Sequence, residues 1–156
     1  MTSRRDFLKA MGASVAGMAL SGLNGAMAAP LTSKEWASAK KDKVKIAYIG
    51  IGNRGEQNIT EFAKTGMVEV TCLCDVDMGA HHTQKVMNMY PKAKRFRNFR
   101  EMFEKASGDF EAVCASVPDH MHFPIAMMAL SYGKHIYLEK PMCRTFLEGE
   151  LMMEMA

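Results

Sequence analysis

The run Gly50-Ile51-Gly52-Asn53-Arg54-Gly55 reads G-x-G-x-x-G, a spacing that offers backbone amides to a phosphate. The first glycine permits a tight turn, the second lets the main chain approach a diphosphate, and the third lets a helix pack close to a strand. A helix opening at this loop adds unpaired N–H groups and the positive end of its dipole. Alone the pattern is weak; a strand before it and a helix after it give it weight. Arg54 falls in the first helical turn, where the dipole disfavours a cation. It either faces water or meets the diphosphate, and the sequence leaves both open. Asp75 stands twenty positions beyond Gly55. An acid there accepts hydrogen bonds from ribose hydroxyls and repels a 2′-phosphate. Val76, Asp77 and Met78 bring no cation against that phosphate, so NAD is expected over NADP.

Other chemistry-bearing residues are fewer. His81 and His82 are neighbours on a helical segment and diverge by about 100°, which suits no single metal. His120 and His122 flank the start of a helix, where a solvated or capping role competes with a catalytic one. Cys72 and Cys74 share a face of one strand, and Cys114 falls in another; these read as small buried hydrophobes. No cysteine pair has zinc spacing, and no metal site is expected. Glu139-Lys140-Pro141 closes an apolar run and places an acid and an ammonium together.

These residues must be held by alternating strands and helices. Val44 to Ile49 is an apolar strand ending at Gly50, and a helix follows from Arg54 to Lys64, with Ile59, Phe62 and Ala63 on one stripe. Val68 to Cys74 is a second strand, near-continuously apolar as in a sheet covered on both faces. A helix over Ala80 to Met89 stops at Tyr90-Pro91. A short strand spans Lys94 to Arg97, and Asn98 with Glu101 opens a helix to Ala106 in the manner of a capping box. Ala112 to Val117 is the fourth strand, Phe123 to Tyr132 a helix, and Lys134 to Leu138 the fifth strand. Thr145 with Glu148 opens a last helix. The alternation predicts an α/β fold: a doubly wound parallel sheet of the Rossmann NAD(P)-binding type. The chain ends at Ala156 inside that last helix without a stop signal, so truncation is expected.

The first residues are an address. Ser3-Arg4-Arg5-Asp6-Phe7-Leu8-Lys9 matches the twin-arginine export motif S-R-R-x-F-L-K. A Gly/Ala/Ser-rich stretch follows, and Ala26-Met27-Ala28 offers a small-x-small cleavage site. The stretch is too broken by glycine for a stable membrane anchor. The expected organisation is a signal peptide over 1–28, a linker over 29–43 and a dinucleotide-binding domain over 44–156. The 156-residue chain has 20 basic and 17 acidic residues. Setting aside Arg4, Arg5, Lys9 and Asp6 leaves a near-neutral balance, which argues against nucleic acid as partner. The basic run Lys92, Lys94, Arg95, Arg97, Arg100 reads as a solvated edge.

Gly133-Lys134-His135-Ile136-Tyr137-Leu138-Glu139-Lys140-Pro141 carries the most specific pattern, G-K-H-x-x-x-E-K-P. Together with the glycine loop, Asp75 and Val117-Pro118-Asp119-His120-Met121-His122, it resembles the glucose–fructose oxidoreductase and inositol dehydrogenase family (Gfo/Idh/MocA) over residues 44–156. The resemblance implies that Gly50, Gly52, Asn53, Arg54, Gly55, Asp75, Pro118, Glu139 and Lys140 line the cofactor. It implies Lys140 beside the nicotinamide ribose and the substrate hydroxyl, Glu139 orienting or polarising that lysine, and His122 near the nicotinamide. It also implies a second α/β domain beyond residue 156 that forms most of the substrate pocket and usually supplies the acid/base partner; the full-length protein is expected to be a homo-oligomer. The expected activity is exported hydride transfer between NAD and a sugar, polyol or glycoside hydroxyl. A glycosidase that keeps its NAD, and a dinucleotide-binding fragment without turnover, are the alternatives. The expected partners are a small sugar or polyol and the twin-arginine export machinery, and the expected destination is the periplasm.

Overall fold

The computed structural model describes residues 43–156. The export segment and all but the last residue of the 29–43 linker lie outside the described residues. The elements are β1 (Val44–Ile49), α1 (Arg54–Lys64), β2 (Val68–Cys74), α2 (His81–Met89), β3 (Lys94–Phe96), α3 (Phe99–Ala106), a 3-10 turn (Ser107–Asp109), β4 (Ala112–Ala115), α4 (Asp119–Ser131), β5 (His135–Leu138) and α5 (Phe146–Met155). The five strands are parallel, in the order β3-β2-β1-β4-β5.

Parallel neighbours require long crossovers, which the helices supply. Side chains alternate between faces along a strand, and two cores result. Ala47, Ile49, Cys72, Cys74, Val113 and Ala115 face Phe103 and Met102 of α3 and Ile125 and Ala129 of α4. Ile46, Tyr48, Leu73 and Cys114 face Ile59 of α1 and Val86 and Met87 of α2. The sheet is therefore wound on both faces. β1 pairs with β2 on one side and β4 on the other, so the chain changes winding direction at β1. In such sheets ligands bind outside the carboxyl ends of the strands at this switch point.

Local devices agree with the sequence in most places. Thr145 and Glu148 form a reciprocal capping box at the start of α5. At α3 only half of that arrangement exists: Asn98 accepts from the Arg100 amide, while Glu101 pairs forward with Lys105. The shift in β1–β2 register between Ile46 and Ala47 leaves Thr71 as the extra residue, and its hydroxyl donates to the Ile46 carbonyl at 3.3 Å. The basic run is exposed, as expected of a solvated edge, and four of its five members also contact the domain. Lys94 pairs with Asp109, Arg95 and Arg97 reach the carbonyls of Met87 and Met78, and Arg100 lies over the Phe99 ring.

Several boundaries move by one residue, and two larger differences touch the site. β4 stops at Ala115 rather than Val117, because the chain turns toward Pro118, which has no N–H for a ladder. α4 starts at Asp119 rather than Phe123. Pro124 reads as a helix opener, yet it lies inside α4 and leaves the His120 carbonyl without its usual donor. The turn is closed ahead of it by the Met121 amide on the Pro118 carbonyl at 2.8 Å. His120 and His122 are thereby helical residues.

Burial pushes the thiols of Cys72, Cys74 and Cys114 up, the latter two to about 12, while Cys143 is only half-buried. A thiolate is the reactive form. Ellman's reagent at pH 8 should titrate one thiol in the native protein and four in denaturant. Rapid reaction of three or more thiols in the native state would contradict this core.

Candidate functional site

The glycine loop leaves β1 with almost no spare room. Gly50 has φ +77°, and a Cβ there would lie 2.2 Å from the Ser116 carbonyl oxygen just past β4. A Cβ on Gly55 would lie 1.9 Å from the Gly50 carbonyl oxygen. Both contacts are with backbone, so no side chain fits without moving the main chain. The two glycines seat the start of α1 against β1 and β4. Asn53, the residue before α1, also takes positive φ, with φ 46° and ψ −102°, outside the left-handed helical basin that asparagine readily occupies, so the loop holds it in a strained conformation. Gly52 is different: a Cβ there would meet the His82 ring at 2.3 Å. The imidazole of α2 lies against the loop at the position where a diphosphate would approach. Nothing in the local sequence paired these two residues.

Asp75 leaves β2 beside this loop. Its Oδ2 accepts from the Ile51 amide at 2.9 Å and its Oδ1 from the Asp77 amide at 2.9 Å. A carboxylate has about four lone-pair sites, so acceptor capacity remains for ribose hydroxyls. The fold also brings to the Asp75–Ala80 loop a cation that residues 76–78 lack. Arg97 donates from Nη2 to the Met78 carbonyl at 2.8 Å.

At the end of β5 the Glu139 carboxylate turns toward α1. Its Oε1 accepts from Arg54 Nε at 2.9 Å and from Asn58 Nδ2 at 2.8 Å. Asn58 is buried and also donates to the Ser116 hydroxyl at 2.9 Å. Glu139 thus ties β5, α1 and β4 together; its carboxylate is taken up by α1 rather than by the Lys140 ammonium. Arg54 has the Glu139 carboxylate and the Gln57 amide oxygen as partners. The charge that the helix dipole disfavours is offset by a fixed carboxylate. The hydrogen bonds from Asn58 and Arg54 hold the Glu139 carboxyl below its ordinary value.

Lys140 is exposed and makes no ion pair among the described residues. Beside it opens an apolar cleft of 360 Å³ lined by Leu138, Met142, Met152 and Met153 among others. Pro118 precedes α4 and is exposed, as is His120, whereas His122 is 1% exposed. The solvated reading of His122 is therefore replaced by a buried one. The glycine loop, Asp75, Pro118, Glu139 and Lys140 all stand at the carboxyl ends of β1, β2, β4 and β5. Sequence reasoning missed Asn58, Ser116 and His82. For Asn58 a signal was present: it lies on the same helical face as Gly55, Ile59 and Phe62, an inward position for an amide.

A five-stranded parallel sheet with this loop at its switch point is a Rossmann dinucleotide-binding domain. Residues 44–156 match the family model described as oxidoreductase family, NAD-binding Rossmann fold, and the chain belongs to the Gfo/Idh/MocA oxidoreductases. Residues 1–21 match the twin-arginine translocation signal, so the chain is addressed to twin-arginine export, typically into the periplasm. Among curated proteins it is 29% identical over 161 residues to a glycosyl hydrolase family 109 protein of Shewanella baltica, covering 93% of this chain and 35% of that protein. It is equally identical, over the same shares, to an alpha-N-acetylgalactosaminidase of Shewanella oneidensis. The chain thus spans about a third of the length of the curated relatives it matches. The fold is that of the WlbA dehydrogenase of Bordetella pertussis, solved in complex with NADH and UDP-GlcNAcA. That likeness has a TM-score of 0.63 at 23% identity, over 72% of this chain and 33% of that one.

The Glu139 tie has a definite pH dependence. A carboxyl held below its ordinary value stabilises the fold fully above about 4.5 and loses that contribution as pH falls through the folded-state value. Urea unfolding of the wild type and of Glu139→Gln should differ most at neutral pH and converge as pH drops below about 4.5. A gap that widens on acidification would contradict the tie.

Proposed function

We propose that residues 44–156 are the cofactor-binding domain of a longer exported enzyme that transfers hydride between NAD and a hydroxyl-bearing carbon of a sugar, polyol or glycoside. The observation that carries this reading is the convergence of the glycine loop, Asp75 and Lys140 on one sheet edge. The site fits a dinucleotide. Gly50 and Gly55 leave no space for side chains where α1 meets the sheet; of the loop amides, Ile51 is taken by the Asp75 carboxylate and Gly50 and Gly55 by backbone carbonyls, and the His82 ring lies against Gly52. In the proposed site Gly50, Gly52, Asn53 and Gly55 cradle the diphosphate at the start of α1. Asp75 accepts from the adenosine ribose hydroxyls, and Pro118 flanks the cofactor past β4. Glu139 and Arg54 hold each other, and through that pair they set β5 against the cofactor helix.

When bound, the nicotinamide supplies the hydride chemistry. Lys140 lies at the end of β5 without a competing carboxylate among the described residues. It would hydrogen-bond the substrate hydroxyl and carry its proton as the carbon–oxygen bond changes order. The apolar cleft beside Lys140 supplies one wall of the substrate pocket, and a further domain would supply the other and exclude water. NAD is favoured over NADP because the Asp75 carboxylate repels a 2′-phosphate. Arg97 is engaged with the Met78 carbonyl and does not remove that charge.

A second reading has a specific observation in its favour: the matched relatives are named as family 109 glycosyl hydrolase and alpha-N-acetylgalactosaminidase. In that reading the same hydride transfer runs forward and back within one turnover and a glycoside is cleaved without net oxidation. NADH accumulating with product supports simple oxidation; glycoside cleavage without NADH release supports the retained-cofactor cycle.

In the full-length enzyme Lys140→Ala should lower turnover by roughly 10²–10⁴, the usual size of acid–base assistance, with NAD affinity little changed. Asp75→Ser should weaken NAD and raise relative NADP affinity. Turnover that survives Lys140→Ala, or a wild type that prefers NADP, would sink the corresponding assignment.

A further inference from the structure

His122 sits early in α4 and is 1% exposed. Its Nδ1 lies 2.5 Å from the Pro141 carbonyl oxygen. A carbonyl only accepts, so Nδ1 carries the hydrogen and the ring is held in one tautomer. Nε2 is enclosed, with no hydrogen-bond partner among the described residues. Pro141 follows Lys140 directly. The imidazole therefore grips the main chain one residue beyond the lysine.

On the other side of Lys140 the chain is gripped again. The Glu139 carboxylate is held by Asn58 and Arg54 of α1, and the Glu139 amide donates to the Ala115 carbonyl of β4 at 3.2 Å. Lys140 is the residue between two fixed points, while its own side chain is exposed and has no ion-pair partner among the described residues. A group that exchanges a proton with substrate must come within hydrogen-bond reach of it. The Nδ1 proton of His122 is engaged by the Pro141 carbonyl instead, and Nε2 is closed off from solvent.

We infer that His122 is a positioning residue for Lys140 rather than a proton carrier: its Nδ1–H holds the Pro141 carbonyl and so fixes the backbone from which Lys140 projects into the site. The kinetic consequence rests on the proposed role of Lys140; the structural one does not.

Two substitutions in the full-length protein separate the roles. His122→Phe keeps an aromatic ring, somewhat larger than imidazole, and removes the donor. His122→Asn keeps an amide N–H at about the place of Nδ1 and removes Nε2. A misplacement of about 1 Å at a reacting group can cost roughly 10²-fold. His122→Phe is therefore expected to lose roughly 10–10² in kcat with NAD affinity within about twofold, and His122→Asn to recover to within about threefold of wild type. Rescue by asparagine is an outcome that a proton carrier does not allow. An asparagine variant as impaired as the phenylalanine one, or a phenylalanine variant with full kcat, overturns the inference. If the phenylalanine variant does not fold, the asparagine variant decides alone, near-wild-type kcat supporting the inference and a 10²-fold loss overturning it. Nitrogen-15 NMR reads the same contact without turnover. It should find the Nδ1–H tautomer at His122 and Lys140 and Met142 amide shifts retained in His122→Asn. An Nε2–H tautomer, or displaced amides in the asparagine variant, would overturn the inference even if the hydride-transfer reading stands. The expected spectra in a protein that moves no hydride would leave the contact intact and reject only that reading.

Discussion

The rest of the domain depends on how closely α1 can approach the sheet. The Gly50 carbonyl oxygen stands where a Cβ of Gly55 would be, and the Ser116 carbonyl oxygen stands where a Cβ of Gly50 would be. Three backbone segments from β1, α1 and β4 meet here with no side chain between them. This close seating brings Asn58 within reach of both Ser116 and Glu139, and Arg54 within reach of Glu139. It also fixes the direction in which the unpaired amides of α1 point. A methyl group at Gly55 would move the helix start, and with it every partner of Glu139. Gly66, by contrast, has φ +69° but nothing within 4 Å of a Cβ, so only its turn conformation is at stake.

The electrostatics follow from that seating. The start of α1 is the positive end of a helix, and the chain places a cation there as well. Glu139 answers both from the end of β5, half-buried and held by two donors. The result is a strand end locked to the cofactor helix, with the neighbouring Lys140 left without an ion pair among the described residues. Asp75 does related work on the other flank. By accepting from Ile51 and Asp77 it holds the glycine loop to the loop after β2. One carboxylate on each side of the switch point thus connects a strand end to the loop that would carry the diphosphate.

Much of this was legible in the sequence where the signal is local. Strand–helix alternation, the glycine spacing and the Thr145–Glu148 cap each depend on residues a few positions apart, and each is found as expected. The failures have a common cause in long-range pairing. Asn58, Ser116 and Glu139 are far apart in sequence, and only the fold reveals that the Glu139 carboxylate is taken up by α1 and not by Lys140. His82 against Gly52 and Arg97 on the Met78 carbonyl are the same kind of contact. The start of α4 was misplaced for a different reason. Pro124 lies one turn inside α4 rather than at its start, which makes His122 a helical, buried residue.

The central claim is that the carboxyl edge of this sheet, from the glycine loop to Lys140, forms one dinucleotide site. The most direct measurement is the amide NMR spectrum of the protein during titration with NADH. The account predicts that shifts concentrate at Gly50 to Gly55, Asp75 to Asp77, Ser116 to Val117 and Glu139 to Lys140. Shifts confined to the opposite edge, at Met67, Glu111 and Lys134, or a spectrum unmoved by saturating NADH, would contradict it.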